Sequence, residues 1–334
     1  MTTQCPQDES GASPDAATLI DMYRRATLIK QNDERTRKVV KSGRLIMPYY
    51  SPRGQEIIPS AISVHLTDAD FICTIYRGIH DMLAKGLPLR DLWAELAGRV
   101  TGTCKGKGGP MHLTCPAKGI MVTTGIVGSS MPIANGLAWA SHLEQDGLVT
   151  IAYFGDGASN IGAFHEALNL ASVWKLPVVF VCQNNRYAEH TSYEKGTSAK
   201  QIVDRAPGYA MRGVRVDGND PLAMYAAARQ AIGHARAGEG PTLIEAMTFR
   251  FHGHLLGDMD GYMDKDEKAA AIAADPVPRF RAWLIEQGHV SDADLAVIEA
   301  EIEAALDDAV EFAINSPFPG LEELDRDVYA EEMA

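Results

Sequence analysis

Residues 148–192 read LVTIAYFGDGASNIGAFHEALNLASVWKLPVVFVCQNNRYAEHTS. Val149 to Phe154 is an apolar run dense in β-branched and aromatic residues, the pattern of a buried strand. It stops at Gly155-Asp156-Gly157, where two glycines allow a tight turn and close backbone approach. Phe164, Leu168, Ala171 and Val173 then recur at helical spacing, and Pro177 opens a second apolar strand, Val178 to Cys182, that ends at Gln183-Asn184-Asn185. The unit is βαβ, so Asp156 and Asn185 stand at the carboxyl ends of two parallel strands, where open α/β sheets bind ligands.

The residue types at those two ends suit a divalent cation and an anion together. Mg2+ takes hard oxygen ligands and binds through one or two protein oxygens plus substrate phosphates. Asp156 offers a carboxylate, Asn185 an amide oxygen, and a carbonyl just past Asn185 a third oxygen. The helix expected to start near Ser159 aims free N–H groups at the same place, which suits a diphosphate. Taken singly, each turn is an ordinary way to end a strand. Together, across one βαβ unit, they point to a metal–diphosphate site.

The whole chain sets the bounds. Its 334 residues allow one large domain or two ordinary ones with ample core, and 46% hydrophobic content is that of a globular protein. No run reaches the ~18 apolar residues of a membrane span, so no membrane is expected. A net charge of −13 argues against nonspecific nucleic-acid binding. The five cysteines show no CxxC spacing and read as reduced thiols of a cytoplasmic protein rather than a disulfide frame or zinc site. Residues 1–15 carry acids without Arg or Lys and are expected to be a disordered tail, not a targeting peptide.

Outward from the central unit, an amphipathic helix is expected from Ala16 toward Val39, with a face able to pack on a partner. Turn-rich Met47 to Glu56 leads into a helix over Ile57 to Val64. Phe71 to Ile75 reads as a strand delivering Tyr76 and Arg77, and His80 as a satisfied structural histidine. The glycine-rich run from Arg99 to Ser130 lacks P-loop spacing; its Met111, Leu113, Ile120, Met121 and Val122 favour a folded loop over a site rather than a linker. Gly213–Val216 and Thr242–Ala246 read as strands around a helix, Pro221–Arg236. His252 and His254 lack further ligands at metal spacing, so an oxyanion-facing role fits better than zinc. Asp258, Asp260, Asp264 and Asp266 read as a solvated acidic loop. Beyond them Leu295, Ile298, Ile302, Leu306 and Ala309 form one apolar helical stripe. The expected fold is α/β: a doubly wound, mostly parallel sheet with helices on both faces in residues 16–270, an N-terminal helical arm included, and a helical extension over 271–334.

Gly155-Asp156-Gly157 with Asn184-Asn185 resembles the thiamine-diphosphate pattern. With Gly54-Gln55-Glu56, Tyr76-Arg77, Gly106-Lys107-Gly108-Gly109, Gly125-Ile126-Val127-Gly128 and His252-Gly253-His254, the chain from about Ile46 to Asp264 resembles the α subunits of two-subunit 2-oxo acid and acetoin dehydrogenases. The resemblance implies thiamine diphosphate and Mg2+ as cofactors. Asp156, Asn185 and the Tyr187 carbonyl would hold the metal. Tyr76, Arg77, Gly125, Val127, Asp156, Gly157, Ala158, Asn185 and His254 would contact the cofactor, with His254 as the catalytic candidate and His252 a lesser one. It also implies a small carbonyl substrate, acetoin or a pyruvate-like 2-oxo acid, and a lipoyl-bearing acyltransferase that takes the acyl group. Tyr50 stands where several relatives carry a substrate-facing histidine; a substrate contact and plain aromatic packing are both open. Leu255-Leu256 replaces serines that mitochondrial relatives phosphorylate, so kinase control there is not expected.

After Asp264 the sequence has room only for helices, and no second α/β domain is in view to carry the carboxylate that faces the cofactor's aminopyrimidine. A β subunit with that pyrimidine-binding domain is therefore expected, in an α2β2 assembly. A transketolase-like half chain would share the Gly-Asp-Gly unit but not Tyr76-Arg77 or His252-Gly253-His254. A non-catalytic scaffold would keep the fold and lose the ligands. A nicotinamide enzyme would need GxGxxG after the first strand, and Gly155–Asn160 does not supply it.

Overall fold

The computed structural model describes residues 13–327. The expected tail lies outside the described residues except for its last three. Among the described residues eight strands follow in chain order: β1 (Phe71–Ile75), β2 (Ile120–Thr124), β3 (Thr150–Gly155), β4 (Val178–Asn184), β5 (Tyr187–Ala188), β6 (Thr191–Ser192), β7 (Arg212–Asp217) and β8 (Thr242–Met247). Six form one sheet in the order β2-β1-β3-β4-β8-β7, every neighbouring pair parallel, while β5 and β6 make a small antiparallel hairpin.

Strands covered on both faces are buried at nearly every position and mostly apolar, and β3, β4 and β8 are so, their polar residues being Thr150, Gln183, Asn184, Thr242 and Glu245. The period of two then splits each strand between two cores. Ile151, Tyr153, Val179 and Val181 face one core with Ile57, Ile79, Met82 and Met224; Ala152, Phe154, Phe180 and Cys182 face the other with Met131, Phe164 and Leu168. The sheet is doubly wound. Strand order reverses between β1 and β3, so a crevice opens past their carboxyl ends. Gly155 is in register with Gln183, which sets Asp156 and Asn185 side by side as they leave the sheet.

Three local readings change. Ile120–Thr124, expected inside a loop, is the edge strand β2; its glycine-rich flanks hid it. Asp156–Asn160 is a 3-10 turn, and the α-helix begins only at Gly162, so the N–H groups nearest Asp156 belong to that turn. The N-terminal helix, Ala16–Lys41, is capped by Asp15 and spends its amphipathic face on its own chain. Tyr23 donates to Glu299 at 2.5 Å, Arg24 pairs with Glu301 at 2.9 Å, and Arg35 holds Glu303 and Asp307, all on the helix Asp292–Asn315. The apolar stripe from Leu295 to Leu306 enters the same core as Leu19 and Tyr23.

The glycine-rich loop is folded around one carboxylate. Glu95, fully buried on the helix Leu89–Leu96, accepts N–H groups from Cys104, Gly106, Gly108 and Gly109 at 2.8–3.0 Å. Gly106 (φ +77°) and Gly109 (φ +57°) adopt the left-handed region that lets successive N–H groups converge. Lys105 and Lys107 tie the loop to Asp327 at 3.0 and 2.7 Å. No helix among the described residues is long and apolar enough to cross a membrane.

Candidate active site

A cleft of about 400 Å³ opens at the strand-order reversal, lined by Tyr76 and Arg77 after β1, Gly125 and Val127 after β2, Gly155–Ala158 after β3, Asn185 and Tyr187–Glu189 after β4, and Arg250 and His254 after β8. Every residue named in advance for the site except His252 lines it. His252 sits instead near the charges of Arg37 and Arg53, and burial lowers its pKa to about 3.

Asp156 is buried, and its Oδ2 has no hydrogen-bond partner among the described residues. Burial raises its pKa to about 6, against the pull of its own N–H, Arg250, Arg77 and the Asn185 N–H. Asn185 donates from Nδ2 to Gln55 Oε1 at 2.9 Å and accepts at Oδ1 from the Tyr187 N–H at 3.2 Å. Asn184 donates to buried Glu245 at 2.7 Å and accepts from the Arg186 N–H at 3.2 Å. Arg186 takes a left-handed φ of 71°, which reverses the chain and brings Tyr187 back over the cleft.

Two guanidinium groups face this carboxylate. Arg77 and Arg250 are 3% and 1% exposed, yet among the described residues neither pairs with a carboxylate. Arg77 donates to the Ser51 and His254 carbonyls at 2.9 and 3.0 Å; Arg250 donates to the His252 and Glu189 carbonyls and to the Tyr262 hydroxyl at 2.8–3.1 Å. Burial and the charge of Arg250 lower Arg77 to about 10, so it stays cationic at neutral pH. Buried cations without anionic partners are costly and mark a site preset for an anion. Arg250 was not singled out in the sequence: one arginine past a strand looks like surface charge.

At the other end of the cleft three rings meet. Tyr50 lies 4.7 Å from Tyr76 and 5.3 Å from His254, centroid to centroid. Burial, Arg77 and Arg250 lower His254 to about 4, so the imidazole is neutral near pH 7. Its backbone N–H donates to Asp258 Oδ2 at 2.6 Å and to the Tyr262 hydroxyl at 3.0 Å, and that hydroxyl donates to Asp258 at 2.6 Å. Burial pushes Asp258 up, but the Tyr262 hydroxyl and the Asp260 and His254 N–H groups outweigh it and hold the carboxyl at about 2. Asp258 is therefore no solvated charge but the brace beneath His254. Asp264 caps the helix Lys265–Ala273, and Asp260 pairs with Lys268 at 2.7 Å. His80 is a structural histidine, bonded to the Arg77 carbonyl and Gln183 at 3.2 and 3.0 Å.

Gly157 needs its missing side chain, since a Cβ there would stand 2.5 Å from Ala188 Cβ. A larger cavity, about 760 Å³, lies behind Tyr187. Its arginines already have acids: Arg186 pairs with Glu267, and Arg215 lies 3.8 Å from Glu245. The smaller cleft, with unpaired guanidiniums, is the better anion site.

A family model described as the dehydrogenase E1 component matches residues 23–322. The chain belongs to that family. The α subunits of acetoin:2,6-dichlorophenolindophenol oxidoreductase from Bacillus subtilis (strain 168) and Cupriavidus necator are 41% and 40% identical to this E1 chain. The alignments cover 92% of each chain in the first comparison, and 98% of this chain and 99% of the relative in the second. The chloroplastic pyruvate dehydrogenase E1 component subunit alpha-3 of Oryza sativa subsp. japonica is 40% identical over 83% of this chain and 68% of its own. The protein is thus an E1 α subunit, part of a thiamine-diphosphate-dependent dehydrogenase that works with a β subunit. Membership goes with the α-subunit reading rather than a transketolase-like half chain.

Proposed function

We propose that this E1 α subunit binds the diphosphate end of thiamine diphosphate through Mg2+. Asp156, Asn185 and the Tyr187 carbonyl would hold the ion. The orphaned, buried Oδ2 of Asp156 supports that reading. So does the donor chemistry: among the described residues no three His, Cys, Asp or Glu side chains cluster around a metal-sized space, and a carboxylate, an amide and a carbonyl are the hard oxygens Mg2+ prefers. Tyr76, Arg77, Gly125, Val127, Gly157, Ala158 and, added here, Arg250 would hold the diphosphate. The single observation that carries the proposal is the pair of buried, anion-free guanidiniums facing one buried carboxylate.

When bound, the cofactor supplies the electron sink for cleaving a bond next to a carbonyl. The chain's own part is to grip, orient and exclude water. Arg77 and Arg250 neutralise the diphosphate without moving, because carbonyls and the Tyr262 hydroxyl fix both forks. Asp258 and Tyr262 fix the His254 backbone, and the neutral imidazole acts as hydrogen-bond partner at the reacting end rather than as a charge.

The substrate we assign is acetoin or a pyruvate-like 2-oxo acid, supported by the names of the relatives, with the acyl group passing to a lipoyl-bearing acyltransferase. An α2β2 assembly in the cytoplasm, with the β subunit bringing the pyrimidine-binding domain, completes the proposal; free thiols at Cys73, Cys104, Cys115 and Cys182 support the compartment. The test is purification with and without the β subunit, followed by turnover of acetoin and pyruvate with an artificial electron acceptor. The isolated α subunit should be inactive and the pair active on one of the two. Thiamine diphosphate affinity unchanged by Asp156→Ala would instead favour a scaffold.

A further inference from the structure

We propose that Gln55 is a positioning residue that decides which atom of Asn185 faces the ion site. The inference rests on the reading that Asp156 and Asn185 hold a divalent cation. Gln55 is fully buried just before the helix Ile57–Ser63. Its Oε1 accepts from Asn185 Nδ2 at 2.9 Å, while its own Nε2 is turned to the Pro52 carbonyl at 3.4 Å. It thus shows Asn185 an oxygen, not an NH2. The segment around it is held on several sides: Arg53 pairs with Glu56 and Asp275, the Gly54 N–H donates to Glu56 at 3.0 Å, and Thr248 donates to the Gly54 carbonyl.

A primary amide carries an acceptor on one side and donors on the other. With Nδ2 committed to Gln55, the oxygen is what Asn185 has left for the cleft and the Tyr187 N–H. The competing arrangement is the same amide turned over. Its NH2 would then face the cleft that holds Asp156, whose Oδ2 has no donor, and a charge-assisted hydrogen bond would fill the place of the cation. That turned state would also set the Asn185 oxygen against Gln55 Oε1, two buried acceptors with no proton between them. Gln55 therefore penalises the state that closes the site. The neighbouring Asn184 is pinned separately by Glu245 and the Arg186 N–H, so the turn cannot relieve the conflict by exchanging roles.

The test is Mn2+ binding, read from the free-ion signal in electron paramagnetic resonance, on the assembled α and β subunits with thiamine diphosphate present. Gln55→Met should weaken Mn2+ by roughly 10- to 100-fold without lowering the melting temperature of the ion-free protein, since the turned amide satisfies Asp156. Gln55→Glu, which keeps an acceptor against Asn185, should bind near wild type. In an Asn185→Asp background, where both faces are oxygen, Gln55→Met should add no further loss. Gln55→Leu replaces Gln55→Met if the latter does not assemble. Wild-type Mn2+ affinity in Gln55→Met, or an equal loss in both backgrounds, overturns the proposal. Asp156→Ala separates the two levels: if it retains Mn2+, the ion site itself is misassigned; if it loses Mn2+ while Gln55→Met does not, only the role of Gln55 fails.

Discussion

Replacing Asp156 by asparagine should stabilise the ion-free protein and weaken the loaded one. Burial lifts the carboxyl from 3.8 to about 6, and one oxygen has no partner among the described residues. At 1.36 kcal/mol per pKa unit, holding it ionised costs about 3 kcal/mol above pH 6. Asparagine matches its shape without charge but brings an NH2 that itself needs a partner, so the net gain is ~1–3 kcal/mol, a few degrees in Tm. The sign follows from linkage. Between pH 3.8 and 6 the folded chain binds the proton that the unfolded chain has lost, so wild-type stability falls as pH rises through that window and levels off above it. The advantage of Asp156→Asn should be absent near pH 4, grow to pH 6 and stay flat beyond. With Mg2+ and thiamine diphosphate at about 1,000 times Kd, the wild type gains ~4.1 kcal/mol and the order reverses. Calorimetric melts at pH 4.5 and 7.5, with and without both ligands, read all four corners. An advantage equal at the two pH values would refute the burial argument, and equal stabilisation of both proteins by the ligands would refute the ion site.

Four further outcomes follow from the cleft. Arg250→Met should lower thiamine diphosphate affinity about 30-fold or more, since truncating one side of a buried charged contact costs ~2–5 kcal/mol; tryptophan quenching measures it. Tyr262→Phe removes the hydroxyl shared by Arg250, Asp258 and the His254 N–H. Hydrogen exchange at the His254 amide should speed up about fivefold, matching ~1 kcal/mol. Gly157→Ala forces the hairpin of β5 and β6 aside at a cost of ~1–3 kcal/mol, and Gly157→Ala with Ala188→Gly should recover most of the lost Tm. His254, lowered to about 4, works opposite to Asp156. The unfolded chain binds the extra proton between 4 and 6.5, so its contribution to stability falls as pH drops through that window, and melts of His254→Gln should lack that share of the acid dependence.

What could be read in advance was whatever has a period or a punctuation mark. The runs on β3 and β4, the Gly-Asp-Gly and Asn-Asn stops and the Pro221 helix start are such marks, and the runs and stops place Asp156 and Asn185 together from sequence alone. What could not be read depends on distance through space. Arg250 and Asp258 differ from surface charges only in what folds over them. β2 has five residues and no company until β1 pairs with it. The N-terminal helix offered a face without naming its mate, which proved to be 270-odd residues away in the same chain.

The ring of N–H groups around Glu95 has a bearing on how mutational maps of this chain would be interpreted. A saturation scan would flag Gly102, Gly106, Gly108 and Gly109 as intolerant, and their position beside the cleft would invite the conclusion that they touch a ligand. Their intolerance has an internal origin: a Cβ at Gly102 would stand 2.4 Å from Glu95 Oε2, one at Gly108 would stand 2.5 Å from the His112 carbonyl oxygen, and Gly106 and Gly109 need their left-handed φ to turn their amides to that same Glu95 side chain. The loop already encloses an anion of its own making, so its glycines would be kept even by a descendant that had abandoned the cofactor altogether.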